Sequence, residues 1–495
     1  MGTAKVYNGG KVKALRNEMH LTDQTPIVSL KSYKRTKIIA TVGPATDSYE
    51  AIYKLIASGV NGIRCNFSHG TYEERDRQIP WVRKAAAELG KPVAIIQDLQ
   101  GPKIRLGDFE GVIEIKTGDH LSFEYKTDYP HSGHIPIQYD LSAKVKPGER
   151  MYLFDGRIKM EITAVRDGVV YAKAQNSGAI IKRKGMNLPD TNFGGDILTK
   201  KDLEDIAYGA KQDFDYVATS FVQTAVDIEN LRRILLEHNQ HAKIIAKIET
   251  KAAVDNIEAI VKASDAIMVA RGDLAVETLA ESVPVVQRQI IGLGLKYAKP
   301  TIVATQMLIS MTEMPEPTRA EVSDVATAVF VGADCVMLSD ETANGKYPIE
   351  AVQVMKRVIL YAERHAVLKA VFQLEREDNM QNAISSGIIN LAENIHATAI
   401  VAETASGATA IQIAARRPET ALIAVTDTPR TAQQLSLVYS VKSYVRPIDA
   451  QAAQKLTDWL QAKHVLETGD VVVTVSGRYP GRVGTTDTIK VRVLE

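Results

Sequence analysis

The chain has 495 residues, of which 45% are hydrophobic and 24% charged, so it is too long for a single core and has a globular composition. Its net charge of +1 gives no electrostatic reason to bind nucleic acid or an anionic membrane surface. No apolar run approaches the about 20 residues of a membrane helix, and residues 1–34 lack the apolar core of a signal peptide. We therefore expect a cytoplasmic protein with neither a nucleic-acid nor a membrane partner.

Apolar runs of strand length alternate with helical segments over residues 35–101 and again over 191–369. This alternation predicts repeated strand–helix units. Eight such strands favour a (β/α)8 TIM barrel, with an open doubly wound sheet as the alternative. The predicted strands cover residues 36–42, 62–66, 93–97, 216–220, 243–248, 265–270, 300–304 and 334–338, and the predicted helices include 48–58, 71–89, 199–211, 251–263 and 348–370.

Two other stretches have different patterns. Residues 102–190 show short alternating runs between Gly-, Asp- and Thr-rich turns, which predicts an all-β domain inserted after the third barrel strand. Residues 370–495 return to an α/β pattern and predict a C-terminal domain with an open sheet. Its predicted strands cover residues 397–403, 421–426, 441–447, 470–476 and 488–493.

The cysteines and the strand ends give further expectations. Cys65 and Cys335 lie inside predicted strands, which indicates buried thiols in a reducing compartment. In a (β/α)8 barrel the active site forms at the carboxyl ends of the strands. Polar side chains occur there at Arg64, Asn66, Asp98, Ser220, Lys247, Glu249, Asp273, Thr305, Ser339 and Glu341.

The stretch 244–277 combines a cation with two carboxylates. Lys247 and Glu249 are two residues apart on one strand and point to the same side, and Asp273 follows the next strand. A lysine beside two carboxylates suits a divalent metal with an anionic, phosphorylated ligand. Ordinary salt bridges at the strand ends are the alternative.

Basic residues near the first three strands also favour a phosphorylated ligand. Arg64 can contact a phosphate or carboxylate through two N–H groups, and His69 begins a helix, where backbone N–H groups favour anions. A capping role is the alternative for His69. Lys103 and Arg105 follow a Gly-Pro turn into the predicted insertion, where they would lie on the hinge of a cleft that closes over a polyphosphate.

Nine motifs resemble, in order and spacing, those of pyruvate kinases. They are KIIATVGPAT, IRCNFSHGT, DLQGPKIR, KGMNLPD, AKIE, MVARGDL, ATQML, PTRAEVSDVA and MLSDETANGKYP. The resemblance covers nearly the whole chain and implies a barrel, an inserted β-rich domain, a C-terminal domain and a homotetramer. It also implies transfer of the phosphoryl group of phosphoenolpyruvate to ADP, giving pyruvate and ATP.

The resemblance implies a role for each motif residue. Glu249 and Asp273 would hold Mg²⁺ or Mn²⁺, which prefer such hard oxygen ligands. Lys247 would stabilise the phosphoryl group in transfer. The remaining implied contacts are Arg64 with the phosphate of phosphoenolpyruvate, the backbone of Arg271, Gly272 and Asp273 with its carboxylate, Thr305 with enolate protonation, and Asn66, His69 and Arg105 with the nucleotide.

One departure from the family pattern concerns a monovalent cation. Potassium-dependent members carry Thr-Lys after the strand-three Asp and a Glu after Gly-Pro, where this chain has Leu99, Gln100 and Lys103. Leu99 offers no side-chain oxygen to a cation, and Lys103 brings an ammonium group. We therefore expect K⁺ not to be required, with Lys103 substituting for it. The predicted pocket consists of Asn66, Ser68, Asp98, Leu99 and Lys103.

Residues 403–410 resemble the family's effector loop. Thr404, Ser406, Gly407 and Thr409 could cradle a phosphate, with a well-capped helix as the alternative. Basic residues are sparse in the loop, although Arg478 and Arg482 could contribute, so AMP or a sugar monophosphate is the expected effector.

Two other functions fit part of the pattern. A metal-dependent lyase or aldolase acting on a pyruvate enolate explains the strand-end residues but not the insertion with Lys103 and Arg105 at its hinge. A non-catalytic sugar-phosphate sensor conflicts with the intact set of Lys247, Glu249 and Asp273.

Overall fold

The computed structural model describes residues 33–154, 156–191, 197–365, 380–449, 451–477 and 486–495. Its first three strands are β1 (Lys37–Val42), β2 (Gly62–Asn66) and β3 (Ala94–Asp98), close to their predicted positions. All residues of β1 and β3 are buried, as expected for parallel strands covered on both faces. The possible helix near residues 11–20 lies outside the described residues.

An all-β insertion follows β3, as predicted. A six-stranded sheet has the order β11-β7-β8-β9-β5-β6, and β10 pairs with β4 in a second sheet. The hairpins of β7, β8 and β9 match the alternating runs, whereas β5 and β6 pair in parallel and are not a hairpin. The strands are β4 (Ile113–Ile115), β5 (His120–Tyr125), β6 (Ile135–Ile137), β7 (Arg150–Leu153), β8 (Ile158–Arg166), β9 (Val169–Ala174), β10 (Gly178–Ile180) and β11 (Met186–Asn187).

The barrel resumes after the insertion. Its later strands are β12 (Tyr216–Thr219), β13 (Lys243–Ile248), β14 (Ala266–Ala270), β15 (Thr301–Ala304) and β16 (Cys335–Leu338). The eight parallel strands close in the order β1-β2-β3-β12-β13-β14-β15-β16. Because β1 pairs with β16, and β3 pairs with β12 across the insertion, the (β/α)8 barrel is confirmed and the open-sheet alternative is wrong.

Helices cover the outside of the barrel, and several begin at a Ser or Thr whose hydroxyl accepts a backbone N–H of the first turn, such as Ser48, Thr71 and Thr199. The predicted helix 251–263 is two helices, because Asn256 ends the first and its side chain donates to the carbonyls of Gln223 and Ala252. The described helices of the barrel are Tyr49–Ser58, Tyr72–Glu88, Lys200–Gly209, Ala225–Glu237, Lys251–Asp255, Ile257–Ala263, Arg271–Glu277, Val283–Tyr297, Arg319–Val331, Asp340–Ala343 and Pro348–His365.

The C-terminal part has the predicted open α/β sheet. Its order is β19-β18-β17-β20-β21, and only β21 runs antiparallel to its neighbour. The strands are β17 (Ala399–Glu403), β18 (Ala421–Thr426), β19 (Val441–Val445), β20 (Val471–Gly477) and β21 (Thr486–Val493), and the helices are Met380–Asn394, Ala408–Ala414, Pro429–Leu435 and Ala452–Ala462.

A buried ion pair joins this part to the barrel. Asp334, just before β16, accepts a hydrogen bond from Arg417 at 2.7 Å, and both side chains are 5% exposed. The same carboxylate accepts backbone N–H groups of Thr301 and Tyr439, each at 3.0 Å. Asp334 therefore fixes the C-terminal part against the amino-terminal end of the barrel.

Two composition-based expectations concern buried thiols and membrane helices. Cys65 and Cys335 are both buried and unpaired, as predicted. Among the described residues, no helix has the length and apolar character that crossing a membrane requires.

Candidate active site

The parallel register brings the strand-end residues to one rim of the barrel. Arg64 on β2 pairs with Thr41 on β1, and Asn66 pairs with Asp98 at the end of β3. Lys247 lies one residue before the end of β13. The rim therefore collects the side chains that the sequence places on separate strands.

Lys247 is the centre of a compact polar cluster at this rim. Its Nζ lies 2.8 Å from Glu249 Oε1 and 3.4 Å from Asp98 Oδ1, and it donates to Ser220 Oγ at 2.7 Å. Burial opposes its charge, but the carboxylates of Asp98 and Glu249 outweigh burial and raise the pKa of Lys247. The side chain is thus a fixed cation.

Arg64 shares Asp98 with Lys247. Its Nε donates to Asp98 Oδ2 at 2.6 Å, and a terminal nitrogen donates to Thr41 Oγ1 at 3.2 Å. Burial alone would raise the pKa of Asp98, but the nearby Lys247 and Arg64 lower it below its usual value. Asp98 Oδ1 is buried without a hydrogen bond, so its one close partner is the Lys247 ammonium.

Glu249 and Asp273 supply the other negative charge. Glu249 is 1% exposed and accepts the backbone N–H of Phe221 at 2.9 Å. Burial raises the pKa of Glu249, Lys247 opposes that rise, and the carboxylate of Asp273 adds to it. The two acids are therefore close enough to repel each other, and a cation bound between them would relieve that repulsion.

The loop after β15 is held in an unusual conformation beside Gly272. Thr305 has a φ of +68°, which a β-branched residue rarely adopts. Its hydroxyl accepts the N–H of Gly272 at 2.9 Å and donates to the carbonyl of Ala304 at 2.6 Å. The Arg271 guanidinium donates to the Thr305 carbonyl and to Asp324, the latter at 2.7 and 2.6 Å, and so holds the loop in place.

Cations gather on the side of the rim that faces the insertion. Burial lowers the pKa of His69, and the positive charges of Arg105, Arg64 and Lys103 lower it further. The Asp340 carboxylate opposes this shift and raises the pKa of His69. This side of the rim suits an anionic ligand.

The chain was compared with known proteins. Residues 33–352 match the family "Pyruvate kinase, barrel domain", and residues 382–492 match "Pyruvate kinase, alpha/beta domain". The chain belongs to the pyruvate kinase family. The pyruvate kinase of Thermotoga maritima is 39% identical over 463 residues, which cover 92% of this chain and 99% of that protein.

Other relatives agree. Pyruvate kinase 2 of Synechocystis sp. is 39% identical over 473 residues, which cover 93% of this chain and 80% of that protein. A crystal structure of a pyruvate kinase from Cryptosporidium parvum superposes with a TM-score of 0.86 at 34% identity, covering 93% of this chain and 96% of that one. As a pyruvate kinase family member the chain is a phosphotransferase enzyme. The family therefore favours the predicted phosphotransferase over the lyase or aldolase and over the non-catalytic sensor.

The acids at the rim fit the divalent metal that pyruvate kinases in general need. Mg²⁺ takes one or two carboxylates from a protein and completes its shell with water and substrate phosphates. Glu249 and Asp273 offer two such carboxylates. Within the described ranges there is no group of three or more His, Cys, Asp or Glu residues arranged to hold a metal.

The predicted monovalent-cation pocket of this pyruvate kinase family member is only partly assembled. Asn66 Oδ1 accepts the N–H of Ser68 at 3.1 Å, and Asp98 lies beside them. The Leu99 side chain is 1% exposed and packs in the apolar layer outside the barrel. The Lys103 Nζ lies 3.3 Å from Asp273 Oδ1, one of the predicted metal ligands, and its substitution for a monovalent cation stays a prediction.

The predicted effector loop largely satisfies its own backbone. Thr404 Oγ1 accepts the N–H of Gly407 at 2.9 Å, and Ser406 Oγ accepts that of Ala408 at 3.5 Å. Thr409 contacts the Thr486 hydroxyl at 2.8 Å. These contacts resemble the capped-helix alternative, and phosphate binding at the loop stays a prediction. Arg478 and Arg482 lie outside the described residues.

Three residues support the site through contacts that the sequence analysis did not predict. Thr41 supports Arg64, Asp324 supports Arg271, and Glu277 joins the insertion through a hydrogen bond of 2.9 Å from Asn187. Thr41 lies near the carboxyl end of β1, and Glu277 ends the RGDLAVE run. Both positions could have indicated a place near the site. Asp324 lies within the PTRAEVSDVA motif, but its position on a helix gave no indication that it contacts Arg271.

Proposed function

We propose that the enzyme transfers the phosphoryl group of phosphoenolpyruvate to ADP, giving pyruvate and ATP. The single observation that supports this most is the Lys247 cluster, in which one buried ammonium lies within 3.4 Å of Asp98 and within 2.8 Å of Glu249 at the barrel rim. Phosphoryl transfer depends chiefly on positioning and on neutralising charge, and a fixed cation supplies both.

Glu249 and Asp273 are the residues that we propose to hold Mg²⁺ or Mn²⁺. When bound, the metal would neutralise charge on the oxygens of the transferring phosphoryl group. Lys247 contacts Glu249 at 2.8 Å, and Lys103 contacts Asp273 at 3.3 Å. Each lysine would therefore have to move partly away from its carboxylate when a metal and substrate bind. The metal would thereby free the ammonium groups for the substrate's phosphate.

Arg64 and Lys247 would share the phosphate of phosphoenolpyruvate. Both side chains contact the Asp98 carboxylate, so their nitrogen atoms are held in position before the substrate binds. Such preorganisation avoids spending binding energy on ordering two long side chains. The guanidinium suits a two-pronged contact with phosphate, and the ammonium suits the position where charge moves during transfer.

The backbone of Gly272 would contact the carboxylate of phosphoenolpyruvate, and Thr305 would take part in protonating the enolate. Gly272 lies directly beside Thr305, since a Cβ at residue 272 would be in ordinary contact with Thr305 Oγ1 at 3.6 Å. The Thr305 hydroxyl already donates to Ala304, which makes it a relay or positioning group in enolate protonation.

The inserted segment 102–190 would act as a lid. Arg105 lies on its hinge strand, where Leu106 pairs with Ile137 and Arg105 with Gly185 of the insertion. Closure would carry Arg105 toward the nucleotide phosphates bound near Asn66 and His69. Excluding water in this way strengthens each charge interaction inside the cleft.

A coupled assay tests the proposed reaction. The protein is mixed with phosphoenolpyruvate, ADP and Mg²⁺, and pyruvate and ATP are measured in parallel. We expect equal amounts of both products, and a Lys247→Met variant should lose at least roughly 10²–10³-fold in kcat while still binding Mg²⁺. Lys262→Met, at an exposed ion pair with Glu258, is the matched control. Pyruvate without ATP would overturn the proposal.

We also propose that K⁺ is not required, with Lys103 providing the fixed positive charge. The contact of Lys103 with Asp273 supports a charge-neutralising role at the metal carboxylates. In K⁺-free tetramethylammonium buffer the wild type should change less than about twofold when K⁺ is added, whereas Lys103→Met should lose activity. A many-fold rise of the wild-type rate on adding K⁺ would refute the idea.

Assembly, regulation and location complete the proposal. The family resemblance supports a homotetramer with AMP or a sugar monophosphate as effector, and the unpaired Cys65 and Cys335 support a cytoplasmic location. Light scattering checks the tetramer. Titration of each effector at sub-saturating phosphoenolpyruvate checks regulation, and no response to any of them would contradict it.

A further inference from the structure

A cavity of about 210 Å³ lies between the insertion and the barrel, next to the site described above. Its walls come from the two segments that connect the insertion to the barrel and from the segments that follow β12, β13 and β14. None of Arg64, Lys103, Lys247, Glu249 or Asp273 lines it. Residues that bear on its chemistry are Ile104, Met186, Phe221, Thr250, Lys251 and Glu277.

The size and the walls of the cavity define its occupant. An apolar cavity of about 150 Å³ holds one benzene molecule, so this one accommodates a single substituted ring. Ile104, Met186 and Leu188 are each less than a tenth exposed and form an apolar wall. A ring packed against them would remove apolar surface from water.

Glu277 gives the cavity a polar end. The side chain is 6% exposed, and one carboxylate oxygen accepts the Asn187 amide at 2.9 Å. The other oxygen receives no hydrogen bond from the part of the chain that the structure describes. Burial, followed by the charges of Asp273 and Glu249, raises the pKa of Glu277 to about 7, against the hydrogen bond from Asn187. A cation beside it would offset the cost of its buried charge.

We propose that this cavity binds a small organic cation, a primary amine that carries one aromatic ring. The ammonium group contacts the free oxygen of Glu277, and the ring packs against Ile104 and Met186. Lys251 also lines the cavity, but its ammonium is paired with Asp255 at 2.7 Å, so the free oxygen of Glu277 makes the cavity favour a cation over a neutral or anionic molecule of the same shape.

A ligand in the cavity would affect the neighbouring active site through two backbone segments that contribute to both. Phe221 lines the cavity, and its N–H holds Glu249 at 2.9 Å. Pro102 and Ile104 line it on either side of Lys103 in the chain. A bound amine would bridge the hinge and the barrel and so change the apparent affinity for substrate. This coupling rests on the proposed function, whereas amine binding does not.

Calorimetry with benzylamine as the probe tests the binding on the full chain. Benzyl alcohol and benzoate serve as neutral and anionic probes of similar shape. We expect benzylamine to bind at least tenfold more tightly than either. Glu277→Gln should weaken benzylamine at least tenfold and leave benzyl alcohol unchanged, and Glu281→Gln, at an exposed acid outside the cavity, should change neither.

A second variant guards against misfolding of the first. Ala252 lines the cavity on a partly exposed helix, so Ala252→Leu fills the space and should abolish benzylamine binding. In the coupled assay, benzylamine should shift the KM of the wild type for phosphoenolpyruvate and leave that of Ala252→Leu unmoved. Unchanged benzylamine binding in Ala252→Leu, or in a folded Glu277→Gln protein, overturns the proposal. Binding without pyruvate formation supports the cavity and refutes the proposed function alone.

Discussion

Asp98 lies between two cations at the barrel rim. It is 1% exposed, and it contacts Arg64 at 2.6 Å and Lys247 at 3.4 Å. A buried carboxylate is stable only with such partners, and each partner in turn is oriented by it. Asp98 is therefore a positioning residue for both groups that would bind the substrate's phosphate.

Replacing Asp98 by Asn tests this positioning role. The amide keeps the shape but removes the charge that holds Lys247 protonated and Arg64 in place. We expect kcat/KM for phosphoenolpyruvate to fall roughly 10–100-fold, mostly through KM, because ground-state and transition-state contacts with the phosphate are both lost. Steady-state kinetics check this. Asp255→Asn, at an exposed pair with Lys251, should have no effect.

Glu277 makes the stability of the metal-free enzyme depend on pH. Burial raises its pKa from a usual 4.5 to about 7, so the folded state binds the proton more tightly than the unfolded state. Its contribution to stability is complete below about pH 4.5 and is lost as pH rises through about 7.

Glu277→Gln cannot ionise, so relative to the wild type it should gain about 1–3 kcal/mol between pH 5 and pH 8. Thermal unfolding in EDTA at both pH values measures this difference. An equal gap between variant and wild type at the two pH values would contradict the assigned titration.

At the scale of elements, the loop after β15 depends on the start of the helix Arg271–Glu277. Two consecutive residues, Thr305 and Gln306, have positive φ values of +68° and +54°. Each such residue costs on the order of 1–3 kcal/mol unless its surroundings enforce it. Arg271 enforces the conformation through the Thr305 carbonyl and Asp324.

Arg271→Lys should relax this loop, because an ammonium cannot make the planar contacts with Asp324 and the carbonyl together. We expect kcat to fall roughly tenfold as Thr305 leaves its position by Gly272, equivalent to about 1.4 kcal/mol in the barrier. Kinetics with saturating substrates check the change. Arg232→Lys, whose partner Asp265 precedes β14 at the opposite end of the barrel, should keep full activity.

Most elements were predictable because their signals are local. A continuous apolar run between breakers indicates each barrel strand, and a Ser or Thr cap indicates the start of several helices. The split at Asn256 was not predictable, since it depends on a contact with Gln223 from another loop. The strands β6, β10 and β11 give no sequence signal of their own, because two or three residues carry no periodicity.

The site was predictable as a set of residues but not as a set of contacts. Strand ends and family motifs placed Arg64, Lys247 and Glu249 together. The direction of Lys103 could not be read from its position in the chain, because it depends on how the hinge lies against the barrel. For the same reason the cavity beside Glu277 had no sequence signal.

At the scale of the whole molecule, Asp334 ties the C-terminal part to the barrel. Asp334→Ala would leave the 5%-exposed Arg417 buried without its carboxylate, which costs about 3–5 kcal/mol. We expect thermal unfolding to split into two transitions as the parts uncouple, with the C-terminal part melting first. Asp458→Ala, at the exposed pair with Arg492, should leave a single transition, and calorimetry distinguishes the outcomes.

The pairing of β1 with β16, which closes the barrel, can form only late in synthesis of the chain. Lys37 on β1 is in register with Cys335 on β16, a separation of 335 − 37 = 298 residues. At about 5–20 residues per second, a ribosome needs roughly 15–60 s to deliver the partner of the first strand. Throughout that interval the apolar β1 has one free edge, because β2 covers only its other side. An unpaired strand edge is a template for pairing with another chain, so the nascent protein is open to association until the ring is complete.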